Sequence, residues 1–187
     1  MGIIVTITGP RGVGKSTTIE IIKKNYPNIY IKEGFIKNYL PDDTPELFLL
    51  KEKKYILEYI ELLKKIRNEN YIALLTRGPE EIIVYIKTVL KINHPDWNVI
   101  HYLEEDFKKL EKFFSDKIYF LDCCDDELKK RWINDNKNRE NFEFWITYKK
   151  IANEFYCNLN NYSYIDASKT SPNERAAIIE EYLKGMC

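Results

Sequence analysis

The chain has 187 residues, of which 44% are hydrophobic and 31% are charged, so it holds enough apolar material for one buried core. Its 29 Lys and Arg residues balance its 29 Asp and Glu residues, which argues against an overall basic field for nucleic acid and against an acidic tail. No apolar run approaches the roughly 18 residues that a membrane-spanning helix needs, and no secretion signal is evident. We therefore expect a cytoplasmic protein with a single domain over residues 1–187.

Short β-branched runs alternate with longer amphipathic segments along the chain. Strands are predicted at residues 3–8, 29–31, 71–75, 117–122 and 162–166. Helices are predicted at residues 17–25, 46–69, 80–91, 103–114 and 142–156, with further helices beginning at Asp125 and at Ser171-Pro172. Because strands and helices alternate, we expect an α/β fold whose parallel sheet has right-handed crossovers.

The turn after the first predicted strand carries the pattern G-x-x-x-x-G-K-[ST]. Its residues are Gly9, Pro10, Arg11, Gly12, Val13, Gly14, Lys15 and Ser16, followed by Thr17. Between a strand and a helix, such glycines let successive backbone N–H groups turn inward around phosphates, and the helix N-terminus adds its positive dipole end. We expect Lys15 to bridge the β- and γ-phosphates, Ser16 to hold Mg²⁺ and Thr17 to lie near the α-phosphate. The pattern predicts binding of a nucleoside triphosphate with Mg²⁺.

Polar residues lie at or just after the ends of the other predicted strands, whose carboxyl ends share one edge of a parallel sheet. They are Glu33, Arg77, Asp122 and Asp166. Phosphoryl transfer depends on positioning of the acceptor and on positive charge around the phosphate. Glu33 is therefore a candidate general base for a hydroxyl acceptor, and Arg77 is a candidate for binding the phosphate or hydroxyl group of the acceptor. Asp122 is a candidate metal-binding carboxylate of the Walker B type. The alternatives are a solvated loop carboxylate for Glu33, a surface arginine for Arg77 and a helix-capping aspartate for Asp122.

A basic segment at about residues 129–141 is interrupted by polar residues 134–136. We interpret this segment as a lid that closes over phosphates and excludes water. Arg131 and Arg139 are the preferred phosphate-binding candidates within it, because the planar guanidinium matches phosphate oxygens. The alternative is a charged helix face directed to solvent.

In their order along the chain, these residues resemble the thymidylate kinase and deoxynucleoside kinase group of P-loop phosphotransferases. The resemblance rests on residues 9–17, on Glu33, on Thr76-Arg77-Gly78, on the strand 118–122, on the arginines up to Arg139 and on Asp166-Ala167-Ser168. It implies a P-loop NTPase three-layer sandwich, in which helices and an Arg-bearing lid flank a five-stranded parallel sheet.

The resemblance also implies roles for individual residues. ATP would be the phosphate donor with Mg²⁺, and a small molecule, a nucleoside or nucleotide, would be the acceptor. Glu33 would correspond to the base or acceptor-orienting carboxylate, Arg77 to the arginine beside the transferred phosphate, and Arg131 and Arg139 to lid cations. The loop of Asp166, Ala167 and Ser168 would lie near the adenine. A homodimer is compatible with this group.

Three features depart from the pattern of the group. Thr76 stands where the group usually has an acidic residue before the arginine, and Gly34 stands where a proline is usual. The chain contains no Gln, although deoxynucleoside kinases of the group commonly read the base through a Gln carboxamide. An amide that reads a base here must therefore come from Asn. Tyr55 and Tyr59 could stack on a base, although their helical spacing favours a place in the core or at its rim.

Two other functions fit parts of the sequence. A switch that hydrolyses a nucleoside triphosphate would use Asp122 as a true Walker B residue, and the missing acidic residue at position 76 favours it. A kinase for the ends of RNA or DNA would need only a local basic groove, but the zero net charge argues against it. The size of a single domain and the arginine-bearing segment favour a small-molecule kinase.

Overall fold

A computed structural model describes residues 1–32, 44–70, 72–134 and 142–186. Its strands are β1 Ile3–Thr8, β2 Tyr30–Lys32, β3 Ile72–Thr76, β4 Lys117–Asp122 and β5 Tyr162–Asp166. They form one five-stranded sheet in the order β2-β3-β1-β4-β5, and every neighbouring pair is parallel. The predicted five-stranded parallel sheet is confirmed, with β1 at its centre.

The helices lie on both faces of this sheet. Their bounds are α1 Lys15–Asn25, α2 Pro45–Asn68, α3 Pro79–Asn93, α4 Glu104–Glu111, α5 Asp125–Asn134, α6 Phe142–Tyr156 and α7 Pro172–Lys184. Helices α2, α3 and α4 share one hydrophobic core, and α1 and α7 share the core on the opposite face. The result is the predicted three-layer α/β arrangement.

Alternation along β1 explains why both faces are covered, since successive side chains of a strand point to opposite faces. Ile4 is fully buried in one core together with Leu63 of α2. Val5 is fully buried in the other core, together with Ile22 of α1 and Ile179 of α7. A strand that is apolar at consecutive positions therefore fits only the centre of such a sandwich.

The predicted helix at 103–114 differs from the observed one. The chain forms a 3-10 turn at Ile100–Leu103, and α4 then covers only Glu104–Glu111. At its end the backbone N–H of Phe113 donates to the carbonyl of Leu110 at 2.9 Å, so the last turn tightens to three-residue hydrogen bonds. In the part of the chain that the structure describes, no helix combines the length and the apolar character needed to cross a bilayer.

Glu80, in the first turn of α3, ties this helix to the loop before β4. Its fully buried carboxylate accepts hydrogen bonds from the backbone N–H of Ser115 and, at 3.2 Å, from the Ser115 hydroxyl. Burial raises the pKa of Glu80 to about 7, although the bonds from Ser115 oppose the shift. The bonds from Ser115 thus favour the charged carboxylate, whereas burial has the larger effect and favours the protonated form.

This raised pKa predicts how Glu80→Gln changes stability with pH. The folded chain holds the Glu80 proton up to about pH 7, whereas an ordinary glutamate loses it near pH 4.5, so wild-type stability falls as pH rises between these values. The neutral glutamine avoids this loss. The difference in free energy of unfolding between the variant and wild type should be about 2 kcal/mol more favourable to the variant at pH 8 than at pH 5. Urea denaturation at both pH values measures this change, and an unchanged difference would contradict it.

Candidate active site

Residues 9–16 form a turn between β1 and α1 at the carboxyl edge of the sheet. Gly9, Gly12 and Gly14 have φ angles of 137°, 85° and 97°, in the region that glycine alone adopts at little cost. A Cβ at Gly9 would also lie only 2.0 Å from the carbonyl oxygen of Leu121 in β4. The glycines are thus required by the backbone, and at Gly9 by the neighbouring strand as well. Helix α1 begins at Lys15, two residues before the predicted start.

The ammonium group of Lys15 lies inside this turn. It donates hydrogen bonds to the carbonyl oxygens of Gly9 at 2.6 Å and Pro10 at 3.0 Å. The pKa of Lys15 is lowered to about 8, mainly by burial; Glu81 opposes this shift, and the nearby Arg77 and Arg11 add to it. A lysine held by neutral carbonyl groups gains more from an incoming phosphate than one that is already paired with a carboxylate.

The three residues after Lys15 have different environments. Ser16 and Thr17 are exposed, whereas Thr18 is buried and its hydroxyl donates to the carbonyl of Gly14 at 3.1 Å. An exposed serine hydroxyl beside the phosphate turn fits the predicted Mg²⁺ ligand. The side chain of Val13 is fully buried in the core, so only its backbone N–H is available to a ligand.

Arg77 follows β3 directly and has an unusual backbone. Its φ angle is 83°, a left-handed conformation that costs a non-glycine residue about 1–2 kcal/mol and is concentrated at functional sites. The hydroxyl of Tyr59, a core residue of α2, donates to the Arg77 carbonyl at 2.6 Å. Because β3 pairs with β1, Arg77 lies beside the phosphate turn. The fold thus holds a strained arginine next to the phosphate turn, and the role of Arg77 at the transferred phosphate stays a prediction.

Glu81 is a buried carboxylate at the same place, and the sequence contained no clear signal for it. The hydroxyl of Thr8, the last residue of β1, donates to Glu81 Oε2 at 2.5 Å, and the Tyr148 hydroxyl lies 3.0 Å from the Thr8 oxygen. Arg77 Nε lies 3.9 Å from Glu81 Oε1. Burial would lower the pKa of Arg77, but Glu81 together with Tyr148, Tyr85 and Tyr55 outweighs burial, and the pKa is raised.

Asp122, the candidate Walker B residue, is buried at the end of β4 and is paired with a lysine. Its Oδ2 lies 3.2 Å from Lys149 Nζ, and its Oδ1 accepts a bond from the backbone N–H of Cys123 at 2.8 Å. Burial raises the pKa of Asp122, and Lys149 opposes this shift. Any metal at Asp122 would compete with Lys149, so the metal role of Asp122 stays a prediction. Within the described ranges, no three Asp, Glu, His or Cys side chains form a ready metal site.

The loop of Asp166, Ala167 and Ser168 lies beside the end of β4. The backbone N–H of Ala167 donates to the carbonyl of Asp122 at 2.6 Å. The backbone N–H of Ser168 donates to Asp166 Oδ1 at 2.9 Å, and this bond lowers the pKa of Asp166. The carboxylate of Asp166 therefore shapes its own loop, and its role near the adenine stays a prediction.

Two arginines connect this loop to the phosphate turn. Arg131 and Arg175 both donate to the carbonyl oxygen of Ala167, at 3.1 Å and 3.3 Å. A Cβ at Gly12 would lie 3.5 Å from Arg131 Cβ, and a Cβ at Gly14 would lie 3.0 Å from Arg175 Nη2. Both side chains therefore border the turn, and the structure brings the predicted Arg131 to the predicted phosphate site.

Arg175 is a candidate that the sequence analysis did not identify. It is 4% exposed and shares the buried face of α7 with Ile179 and Leu183, at a spacing of four residues. Burial lowers the pKa of Arg175, and the nearby Arg131 lowers it further. The sequence signal for Arg175 was an arginine at a position of the helix that otherwise repeats apolar residues. Burial of a cation is costly unless it has hydrogen-bond or ionic partners, so such an arginine is a candidate for ligand binding.

A cleft opens beside Arg77, between α2 and α3. It is lined by Glu52 and Tyr55 of α2 and by Arg77, Glu81 and Tyr85. The Arg77 guanidinium lies 5.6 Å from the centre of the Tyr85 ring. Burial raises the pKa of Tyr55, so its hydroxyl stays protonated at neutral pH. Tyr55 thus belongs to a cleft with both charged and aromatic walls.

Some predicted features lie outside the described residues. These are Glu33 with its neighbour Gly34, Arg139, and residues 135–141 of the lid. The remainder of the lid, residues 129–134, is the last part of α5. Arg131 lies there, and its Nε donates to Glu127 Oε1 at 2.7 Å.

Several solved structures have a similar fold, and kinases of nucleosides and nucleotides are among them. A deoxyadenosine kinase from M. mycoides with bound dATP has a TM-score of 0.70 at 18% identity, over 97% of this chain and 100% of that chain. The YorR protein from Bacillus subtilis, in complex with phosphorylated GDP, has a TM-score of 0.61 at 17% identity, over 97% of this chain and 95% of that one. A thymidylate kinase from Candida albicans has a TM-score of 0.60 at 15% identity, over 98% of this chain and 92% of that chain.

These similarities define a class of fold. The chain has the three-layer α/β fold of the P-loop nucleoside and nucleotide kinases, as the resemblance in its motifs implies. No protein-family model matches the chain, and no curated protein matches it in sequence. The activity must therefore be argued from the site itself.

Proposed function

We propose that this chain is an ATP- and Mg²⁺-dependent kinase that transfers the γ-phosphate to a nucleoside, a nucleotide or a related small molecule. The observation that carries the proposal is the position of Arg77. It lies in a strained conformation between the phosphate turn that holds Lys15 and a narrow cleft lined by residues of α2 and α3. A protein that only binds a triphosphate needs the turn, whereas a kinase needs a second site next to it.

The donor site consists of the phosphate turn and its border. Residues 9–17 hold the triphosphate, with Lys15 between the β- and γ-phosphates and Ser16 on Mg²⁺. Mg²⁺, when bound, neutralises charge that develops on the phosphates. Arg131 lies against the turn, and the loop of Asp166, Ala167 and Ser168 is the proposed neighbour of the adenine. Arg139 is proposed as a further phosphate-binding cation.

The acceptor site is proposed at the cleft beside Arg77, which has a volume of about 20 Å³ and must widen to admit an acceptor. In the transfer, an acceptor oxygen forms a bond to the γ-phosphorus while the bond to the β–γ bridging oxygen breaks and ADP leaves. When the acceptor is a hydroxyl group, its proton goes to the carboxylate of Glu33, which directly follows β2 in the sequence. Arg77 and Lys15 stabilise the negative charge of the phosphoryl group during this step.

The switch is the second function to weigh, and Asp122 argues against it. A hydrolysing switch of the kind considered above depends on Asp122 as a metal ligand. Both oxygens of this carboxylate already have partners, Lys149 and the backbone N–H of Cys123. The kinase proposal does not require Asp122 to leave them.

A panel of acceptors tests the proposal. ADP formation from ATP is measured alone, then with nucleosides, nucleotides and an oligonucleotide that ends in a 5′-hydroxyl. We expect one class of small acceptor to raise ADP formation at least about tenfold, with an equal amount of phosphorylated product by mass spectrometry. Hydrolysis that no acceptor changes would favour the switch, and a response to the oligonucleotide alone would favour an end kinase. The cytoplasmic location and a homodimer stay predictions.

Two substitutions of Arg77 separate its charge from its backbone. Arg77→Ala and Arg77→Gly should both lower the transfer rate by about a hundredfold, because both remove the guanidinium. Arg77→Gly should be more stable than Arg77→Ala by about 1 kcal/mol, since only glycine adopts φ 83° without strain. Steady-state rates and urea denaturation of both variants check this. Full activity in either variant would contradict the role of the Arg77 guanidinium, and a more stable alanine variant would contradict the strained backbone at this position.

A further inference from the structure

Arg175 lies near the start of α7, and the cap of this helix fixes its backbone. The hydroxyl of Ser171 accepts a hydrogen bond from the backbone N–H of Glu174 at 3.2 Å, and the carboxylate of Glu174 accepts one from the backbone N–H of Ser171 at 2.6 Å. The backbone N–H of Arg175 then donates to the carbonyl of Ser171 at 3.0 Å. The side chain of Arg175 therefore starts from a firmly held position.

The guanidinium of Arg175 connects two segments of the proposed donor site. Its Nη1 donates to the carbonyl oxygens of Ala167 at 3.3 Å and Thr170 at 3.1 Å, both in the loop that follows β5. Its Nη2 borders the phosphate turn, since a Cβ at Gly14 would lie 3.0 Å from this nitrogen. One side chain thus bonds to the loop of residues 166–170 and also lies beside the turn.

The hydrogen bonds that this loop makes with itself do not provide that connection. The carbonyl of Asp166 accepts from the backbone N–H of Thr170 at 3.1 Å and from the Thr170 hydroxyl at 2.7 Å. These bonds close the loop on itself, whereas Arg131 and Arg175 bond to the loop and also border the phosphate turn. The distance between loop and turn therefore depends on these two side chains.

The partners of Arg175 are unusual for a buried cation. The residue is 4% exposed, and its hydrogen-bond acceptors among the described residues are two neutral carbonyl groups. Its Nε is buried and makes no hydrogen bond in the structure. Arg131 differs, because its Nε donates to the carboxylate of Glu127 at 2.7 Å. Since an incompletely paired buried cation is costly for the fold, this arrangement favours a role for Arg175 in binding.

We propose that Arg175 is a positioning residue of the donor site, which holds the loop of residues 166–170 against the phosphate turn so that the nucleoside and the triphosphate of ATP are bound together. This inference rests on the proposed function, because it assigns a role to Arg175 at the proposed donor site. A loop that is held in place before ATP arrives loses less conformational freedom on binding. A ligand that consists of phosphates alone uses only the turn and gains nothing from the loop.

The test compares two ligands by calorimetry, each with Mg²⁺ and without acceptor. The measured quantity is the ratio of the Kd of inorganic tripolyphosphate to the Kd of ATP. A change in the charge or conformation of the phosphate turn alters both Kd values and largely cancels in this ratio, whereas a loss of contacts to the nucleoside lowers it.

In Arg175→Met the ratio should fall about tenfold relative to wild type, because the loop is no longer tied to the turn. Arg175→Lys keeps one donor group for the two carbonyls and should lower the ratio by only about threefold. The lysine variant serves as the test if the methionine variant does not fold. A ratio equal to that of wild type in the folded variant, including an equal loss of both ligands, would overturn the proposal.

Arg67→Met is the matched control for this measurement. Arg67 also donates to two backbone carbonyls, those of Gly2 at 2.9 Å and Phe114 at 2.8 Å. These residues precede β1 and β4, so Arg67 lies at the edge of the sheet opposite the phosphate turn. The substitution should lower stability and leave the ratio within about twofold of wild type. An equal fall of the ratio in Arg67→Met would overturn the specific role of Arg175.

Hydrogen exchange of the nucleotide-free protein gives a second readout. In Arg175→Met the backbone N–H of Thr170 should exchange at least about tenfold faster than in wild type, whereas the N–H groups of β1 should keep their rates. An unchanged rate at Thr170 would overturn the proposal. If wild type binds neither ligand, the proposed function fails and this inference fails with it. If wild type binds both ligands equally well, the phosphate site stands and only this inference fails.

Discussion

Lys15→Ala should lower the rate of phosphoryl transfer by about a thousandfold. The ammonium group lies inside the phosphate turn, and no other lysine of the described residues donates to the carbonyls of Gly9 and Pro10. Alanine removes the charge that would neutralise the γ-phosphate during transfer. The fold should remain, because Lys15 is the first residue of α1 and alanine is a good helix former there. Steady-state ADP formation with the active acceptor measures the rate, and circular dichroism confirms the fold.

Lys23→Ala is the matched control for this variant. Lys23 lies on the same helix but is exposed near its end, away from the turn. Its substitution should leave the transfer rate within about twofold of wild type, since isolated surface charges contribute little. A Lys15→Ala enzyme that keeps more than a tenth of wild-type activity would show that the turn is not the donor site.

Gly9→Ala should lower the free energy of unfolding by about 3 kcal/mol or more. The φ angle of 137° is strained for any L residue, and the new Cβ would lie 2.0 Å from the Leu121 carbonyl oxygen. Because that oxygen belongs to the backbone of β4, the strand itself would have to move. Chemical denaturation measures the loss. A variant as stable as wild type would show that this turn does not have the described conformation.

Gly185→Ala is the control for the backbone argument. Gly185 follows α7 with a φ angle of −70°, and the nearest atom to a Cβ there is the Tyr182 carbonyl oxygen at 3.5 Å. Alanine therefore fits without strain and also restricts the unfolded chain. We expect stability within about 0.5 kcal/mol of wild type, or slightly above it. A large loss at both glycines would mean that the effect at Gly9 is not specific to the phosphate turn.

The parts of the fold that were predicted correctly are those whose signals are local. The bounds of β4 and α6 match the prediction at both ends, because an unbroken apolar run and a clear helical repeat define them. The start of α7 also matches, since Ser171 and Glu174 form a capping box and Pro172 occupies the first turn. Boundaries set by backbone geometry were less accurate: α1 starts at Lys15 because Gly14 has a left-handed conformation.

The candidate site likewise has one part that could be predicted from a local pattern and another part that could not. The phosphate turn could be predicted from eight consecutive residues, since its chemistry lies in one stretch of backbone. The contacts around it could not, because they join residues far apart in the chain. Lys149 reaches Asp122 from α6, Arg175 reaches the turn from α7, and Glu81 reaches Thr8 across 73 positions. Such partners follow from the packing of helices on the sheet, which no local pattern specifies.

A calorimetric titration of the purified chain with ATP and Mg²⁺ is the most direct test of the donor site on which the proposed kinase depends. We expect a saturable heat with one site per chain, and loss of most of that heat in Lys15→Ala. The absence of any heat with either ATP or GTP, or equal binding by wild type and Lys15→Ala, would contradict the assignment of residues 9–16 as a triphosphate site.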